Sequence, residues 1–194
     1  NAPGSLDIGC TGTLRRVNTI SYEHIGTFHH CEIPMFRMED VSTAPATKKI
    51  AYLQGAGDEI PEYLRLIGYE VVEIGLPDLT SEKLQSFQVL ILGIRSYNTL
   101  EITDAMQESM EQFAKNGGHV IIQYLTSRGL KREDFTPFDL KIGRDRVTEE
   151  DAEMSFIDPK ETLLNSPNPL GINDFNHWVQ ERGLYFAHSF SPEF

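Results

Sequence analysis

The stretch that decides the fold begins Lys49-Ile50-Ala51-Tyr52-Leu53-Gln54 and continues Gly55-Ala56-Gly57-Asp58-Glu59. After residues 60–74 and a polar connection it resumes as Val89-Leu90-Ile91-Leu92-Gly93-Ile94 and closes on Arg95-Ser96-Tyr97-Asn98. The first run is a short apolar segment bounded by glycines, which predicts a strand. Residues 60–67 predict a helix. Asp58 suits its N-cap, Pro61 suits a first turn where a missing N–H costs nothing, and Gly68 suits a left-handed C-terminal position. Leu64 and Ile67 are expected to face the sheet. Residues 69–74 and 89–94 predict two further strands. Strands alternating with helices at this spacing predict an α/β fold, a mostly parallel sheet flanked by helices. Such sheets hold ligands outside the carboxyl ends of their strands. Here those ends carry Asp58, Arg95, Tyr97 and Asn98.

Working outward, residues 101–115 place Ile102, Met106, Met110 and Phe113 on one helical stripe, ended by Asn116-Gly117-Gly118. Residues 120–124 predict a fourth strand and bring Gln123 to the same edge. Beyond Leu125 the pattern loosens. Residues 139–142 predict a short strand, and residues 148–151 resemble a capping sequence. Asn173 is expected to cap a short helix carrying Phe175 and Trp178, and residues 184–186 to form a last strand. Upstream, residues 16–25 alternate like an edge strand and residues 41–47 read as a linker. The expected division is an N-terminal arm and linker, 1–47, and an α/β domain, 48–194.

The 194 residues, 40% hydrophobic and 24% charged, suit one globular domain. No apolar run approaches the roughly 20 residues that span a bilayer, and no basic-then-apolar leader opens the chain. A net charge of −12 argues against a nucleic-acid or anionic-membrane surface, which needs clustered Lys and Arg. The two cysteines, Cys10 and Cys31, fit either one disulfide or two thiols.

Gly55-Ala56-Gly57 after a strand invites a dinucleotide reading. The third glycine position is Ile60, however, and Asp58 and Glu59 would repel a pyrophosphate. His24, His29, His30, Cys31 and Glu32 cluster in sequence. Adjacent His29 and His30 on a strand would point to opposite faces, which is poor chelating geometry; no metal site is expected. Arg95 leaves a buried strand and needs a partner. Asp58 is one candidate and a ligand is the other. Arg144 and Arg146, two residues apart, would share a face of an extended segment.

The order of elements resembles the class I glutamine amidotransferase-like (flavodoxin-like) fold. In that family a nucleophilic cysteine follows the strand matching residues 120–124. Here the turn reads Gln123-Tyr124-Leu125-Thr126-Ser127, without cysteine or a G-x-S-x-G elbow. Downstream, His177 and His188 lack the family's His-x-Glu pattern, so no catalytic residue is assigned.

More specifically, several segments in order resemble the C-terminal, ThuA-like region of bacterial PIG-L (LmbE-like) deacetylases. They are Ile50-Ala51-Tyr52 with Gly55-Ala56-Gly57-Asp58, Gly93-Ile94-Arg95-Ser96-Tyr97-Asn98, Arg144-Asp145-Arg146-Val147-Thr148, and Trp178-Val179-Gln180-Glu181-Arg182-Gly183-Leu184-Tyr185-Phe186. Ile20-Ser21-Tyr22-Glu23-His24-Ile25 resembles the lead-in. The resemblance implies a zinc-dependent hydrolase acting on N-acetylglucosamine-type sugars. Its zinc sits in a preceding domain on a His-Pro-Asp-Asp-Glu run that this chain lacks. The chain is then expected to be a non-catalytic accessory domain, serving carbohydrate binding, packing on that deacetylase domain, or homo-oligomerisation. Related sequences continue past the position of Phe194, so the sheet is expected to be incomplete. An exported location is implied on the same ground. Tyr97 would stack on a sugar while Arg95 and Asn98 bond its hydroxyls, with Asp58 and Gln123 lining the edge and Arg144 and Arg146 nearby. A different expectation is a stand-alone hydrolase with Ser127 or Cys31 beside a histidine. A purely structural domain would instead satisfy Arg95 with Asp58.

Overall fold

A computed structural model describes residues 16–33, 47–149, 151–176 and 183–193. Two units divide the chain, Asn1–Ser42 and Thr43–Phe194. In the first, β1 (Arg16–Tyr22) and β2 (Ile25–Glu32) pair antiparallel. The edge strand expected here is thus half of a hairpin. Polar pairs cross the ladder, with Thr19 Oγ1 3.1 Å from His29 Nδ1 and Ser21 Oγ 3.0 Å from Thr27 Oγ1. His29 lies opposite Thr19 and His30 opposite Asn18; successive strand residues face opposite ways. Cys31 is exposed with a free thiol. Cys10 and most of the expected linker lie outside the described residues.

The second unit opens with β3 (Lys49–Leu53), α1 (Ile60–Leu66) and β4 (Glu70–Ile74). A 3-10 turn, Leu76–Asp78, and α2 (Ser81–Leu84) lead to β5 (Val89–Leu92). Then come α3 (Ser96–Thr99), α4 (Asp104–Lys115) and β6 (His119–Ile122). The four strands form one parallel sheet in the order β4-β3-β5-β6. Counted from β3 this order is 2-1-3-4, the flavodoxin-like winding, whose switch point lies between β3 and β5.

Register divides the side chains between two faces. Leu53, Ile74 and Leu92 align on one, and with Ala51 and Leu90 they pack against Met110 and Phe113 of α4 and against Leu79, Leu84 and Phe87. Ile50, Tyr52, Val71 and Ile91 form a smaller core on the other, with Leu64 of α1. Of the predicted stripe, Met106, Met110 and Phe113 lie on α4 and pack inward, while Ile102, also buried, precedes the helix. Ile67, expected inward, is exposed. The helix stops at Leu66, Gly68 turns left-handed at φ +99°, and the Tyr69 N–H bonds back to the Leu64 carbonyl. Asp58 precedes the cap position, which Glu59 occupies, and receives the Ile60 N–H instead.

Beyond β6 come β7 (Leu140–Ile142), β8 (Arg146–Val147), α5 (Thr162–Asn165), a 3-10 turn at Ile172–Phe175, β9 (Gly183–Leu184) and β10 (Ala187–Phe190). β7 pairs with β10 and β8 with β9, both antiparallel. The single strand expected at residues 184–186 is split because Tyr185 adopts φ +55°, which breaks extended pairing. His177 and Trp178 lie outside the described residues. No helix among the described residues is long and apolar enough to cross a membrane.

Candidate functional site

The site grows from the close approach of two chain ends. A Cβ on Gly55 would lie 2.0 Å from the Ile94 carbonyl oxygen; one on Gly93 would lie 2.8 Å from the Gly55 nitrogen and 3.0 Å from the Tyr52 hydroxyl. Only glycine fits at either position. The Ala56 N–H donates to the Ile94 carbonyl at 2.8 Å, closing the contact. The glycine pattern that invited a nucleotide reading is thus set by backbone approach between β3 and β5.

Asp58 is the hub of this junction. Its Oδ1 accepts from the Tyr52 hydroxyl at 2.5 Å and from the Ile60 N–H at 3.1 Å. Its Oδ2 accepts from the Ile94 N–H at 3.3 Å. Gln123, just past β6, donates through Nε2 to the Tyr52 oxygen at 2.9 Å. One buried phenol therefore links β3, the α1 entry and the end of β6. Burial, and then the Asp58 hydrogen bond, push the Tyr52 phenol well above the ordinary tyrosine range. Tyr52 was not foreseen as a site residue. Its signal was a polar tip within an otherwise aliphatic strand interior, and such tips take a partner when buried.

The expected trio after β5 separates. Arg95 takes a left-handed conformation, φ 55° and ψ 26°. Its N–H donates to the Tyr124 carbonyl at 2.7 Å, and its side chain is exposed. No carboxylate among the described residues pairs with it; Asp58 is engaged by Tyr52, Ile60 and Ile94. Tyr97 is only 1% exposed. Its hydroxyl donates to Gln107 Oε1 at 2.8 Å and its ring sits 5.5 Å from that of Phe135. The expectation that Tyr97 stacks on a sugar is corrected, since the single-turn helix α3 carries that ring into the larger core. The role given to Asn98 is corrected too. Its Nδ2 donates to the Thr126 carbonyl at 3.0 Å and its Oδ1 accepts the Thr126 N–H at 3.1 Å. Asn98 fastens the loop after β6.

What faces outward instead is aromatic and cationic. Tyr124, 41% exposed, meets Tyr185 edge to face with ring centroids 5.8 Å apart. Tyr185 directly follows β9, the antiparallel partner of β8, its N–H donating to the Asp145 carbonyl at 2.9 Å. Arg144 and Arg146 flank Asp145 and are exposed. The structure thus brings their segment alongside Tyr185, and through it to the end of β6. Tyr124 and Tyr185 were missed because nothing in sequence links residues 61 positions apart across the loose second half.

Ser127 has a buried hydroxyl without a hydrogen-bond partner. It lines a cavity of about 620 Å³ with Phe135, Phe138, Asp139 and Lys141. His188 Nδ1 lies 3.7 Å from Asp145 Oδ2, not from Ser127. Among the described residues no three His, Cys, Asp or Glu side chains gather as a metal site.

Fold and site together define a flavodoxin-like α/β domain with a polar, aromatic edge at its strand-switch point. No family model and no curated protein matches the chain. Among solved structures it is similar to a protein from Bacteroides uniformis described as ThuA-like, with 17% identity and a TM-score of 0.37. That match covers 58% of this chain and 54% of the other, so it spans about half of that protein.

Proposed function

We propose that this chain is a non-catalytic accessory domain of a PIG-L-type zinc-dependent deacetylase, and that it holds carbohydrate at the carboxyl edge of its parallel sheet. The sequence resemblance supplies the parent enzyme, whose zinc belongs to another domain. One observation carries the binding role over packing or homo-oligomerisation. At the strand ends Tyr52, Asp58 and Gln123 are tied to one another and to backbone, while Arg95 and Tyr124 are exposed and a half-buried Tyr185 packs edge to face on Tyr124. An exposed aromatic ring and a guanidinium on neighbouring strand ends offer a sugar an apolar face and hydrogen-bond donors.

The test is a titration of the purified chain with N-acetylglucosamine and glucosamine oligosaccharides, followed by amide shifts. The reading requires saturable shifts that are lost in Arg95→Ala. Absence of shifts with every sugar moves the role to domain packing or assembly. Acetate release from the chain alone would move it to a stand-alone hydrolase.

A further inference from the structure

We propose that two copies of this chain pair through the α1 side of the sheet, with the outer stripe of α1 and the neighbouring face of β6 as the contact. This surface is separate from the carboxyl edge, and the inference goes beyond the carbohydrate reading.

Three observations carry it. First, α1 is apolar on two sides. Pro61 is buried and Leu64 packs on the smaller core. Ile60, Tyr63, Leu66 and Ile67 make a second stripe, and all four are exposed, Tyr63 by 59% and Leu66 by 79%. Residues at these spacings share a flank of a helix, and an outward apolar flank is a docking face. Second, the stripe borders an uncovered strand. Arg65 Nη2 donates to Glu73 Oε1 at 2.8 Å and to the Val71 carbonyl at 3.2 Å, so that flank of α1 lies over β4. Tyr63, two positions earlier, sits on nearly the opposite flank, towards β5 and β6. Ile121 of β6 is in register with Ile91 of the smaller core, so it faces the same side, and it is 49% exposed. A helix is about 10 Å across and strands lie about 4.8 Å apart, so α1 spans only about two of the four strands. Third, size and charge fit a second copy. These five side chains expose about 550 Å², so covering them on two copies removes about 1,100 Å², which reaches what a specific interface needs. The patch holds no charged side chain; Glu59 and Glu62 border it on α1 and His119 on β6. Copies of net charge −12 repel where acids meet, so a neutral apolar patch is where they join. The patch also complements itself. A two-fold axis along the strands brings the two stripes together at Tyr63 and lays Leu66 of each copy on Ile121 of the other.

The experiment is sedimentation equilibrium of the full chain from about 1 to 100 µM, at low and high salt. The expected result is a doubling of mass across that range, shifted to lower concentration by salt, which screens repulsion between acidic copies. Tyr63→Gln and Ile121→Thr should each weaken the dimer at least about ten-fold. Leu163→Gln, an equally exposed apolar position on α5, should leave it unchanged. Circular dichroism checks folding, and Leu66→Gln repeats the test if either variant fails to fold. A monomer at every concentration overturns the inference. So does a dimer that both variants leave intact, or one that salt dissociates. The sugar titration reads the carboxyl edge, so failure of one proposal is distinguishable from failure of the other.

Discussion

The Tyr52 hydroxyl lies 2.5 Å from Oδ1 of Asp58, and this contact organises the switch point of the sheet. Asp58 holds the entry to α1 through the Ile60 N–H and the exit of β5 through the Ile94 N–H. Gln123 adds the end of β6 from the other side of the phenol. Three strand ends are thereby fixed before any ligand arrives, and pre-organisation of this kind lowers the cost of binding.

Removing the hub is expected to be expensive. Asp58→Ala leaves the Tyr52 O–H without an acceptor and two backbone N–H groups unpaired and should cost about 2–3 kcal/mol. Tyr52→Phe removes one donor to Asp58, which keeps its two backbone N–H partners, and the acceptor of Gln123 Nε2, and should cost about 1–2 kcal/mol. Urea unfolding at neutral pH measures both.

Alkaline pH provides a second handle. Burial chiefly raises the Tyr52 and Tyr97 phenols above the ordinary value of about 10. The folded chain therefore keeps protons that the unfolded chain releases. Their contribution is fully present below about pH 10 and falls as pH rises from there through the folded values. The midpoint of urea unfolding should drop above pH 10, and the drop should be shallower in Tyr52→Phe.

Tyr97 separates fold from function. Tyr97→Phe deletes a buried hydrogen bond to Gln107 and should cost about 1 kcal/mol. It should leave sugar-induced amide shifts unchanged, because the ring lies in the core. Altered sugar affinity in this variant would place Tyr97 in the site after all.

Arg95→Gly should do the opposite. Glycine relieves the left-handed strain but adds freedom to the unfolded chain, for a net gain of about 0.5–1 kcal/mol. The variant should unfold at equal or higher urea concentration while losing sugar binding. A clear loss of stability would show that the side chain serves the fold.

Gly55→Ala probes the backbone approach itself. The added carbon would meet the Ile94 carbonyl, which cannot move without parting β3 from β5. The expected penalty is about 3 kcal/mol, at the upper end for overpacking, and is read from the same unfolding curves.

The parallel sheet was legible because its strands are short aliphatic runs between glycines and because α4 carries a regular apolar stripe. The strand-end rule placed Asp58, Arg95 and Gln123 at the carboxyl edge of the sheet, and they lie there. It misplaced Tyr97 and Asn98. One left-handed residue, Arg95, redirects the chain, and no propensity announces a positive φ at an arginine. Tyr124 and Tyr185 were hidden for a different reason. Tyr185 is brought to Tyr124 beside the long-range pairing of β8 with β9, and strands of two residues leave almost no periodic trace in sequence.

The most direct test of the account is a residue-resolved map of amide shifts during titration with an N-acetylglucosamine oligosaccharide. The account predicts saturable shifts centred on Arg95, Tyr124 and Tyr185, absent in Arg95→Ala. Shifts confined to the cavity around Ser127 and Phe138, or none anywhere, would contradict it.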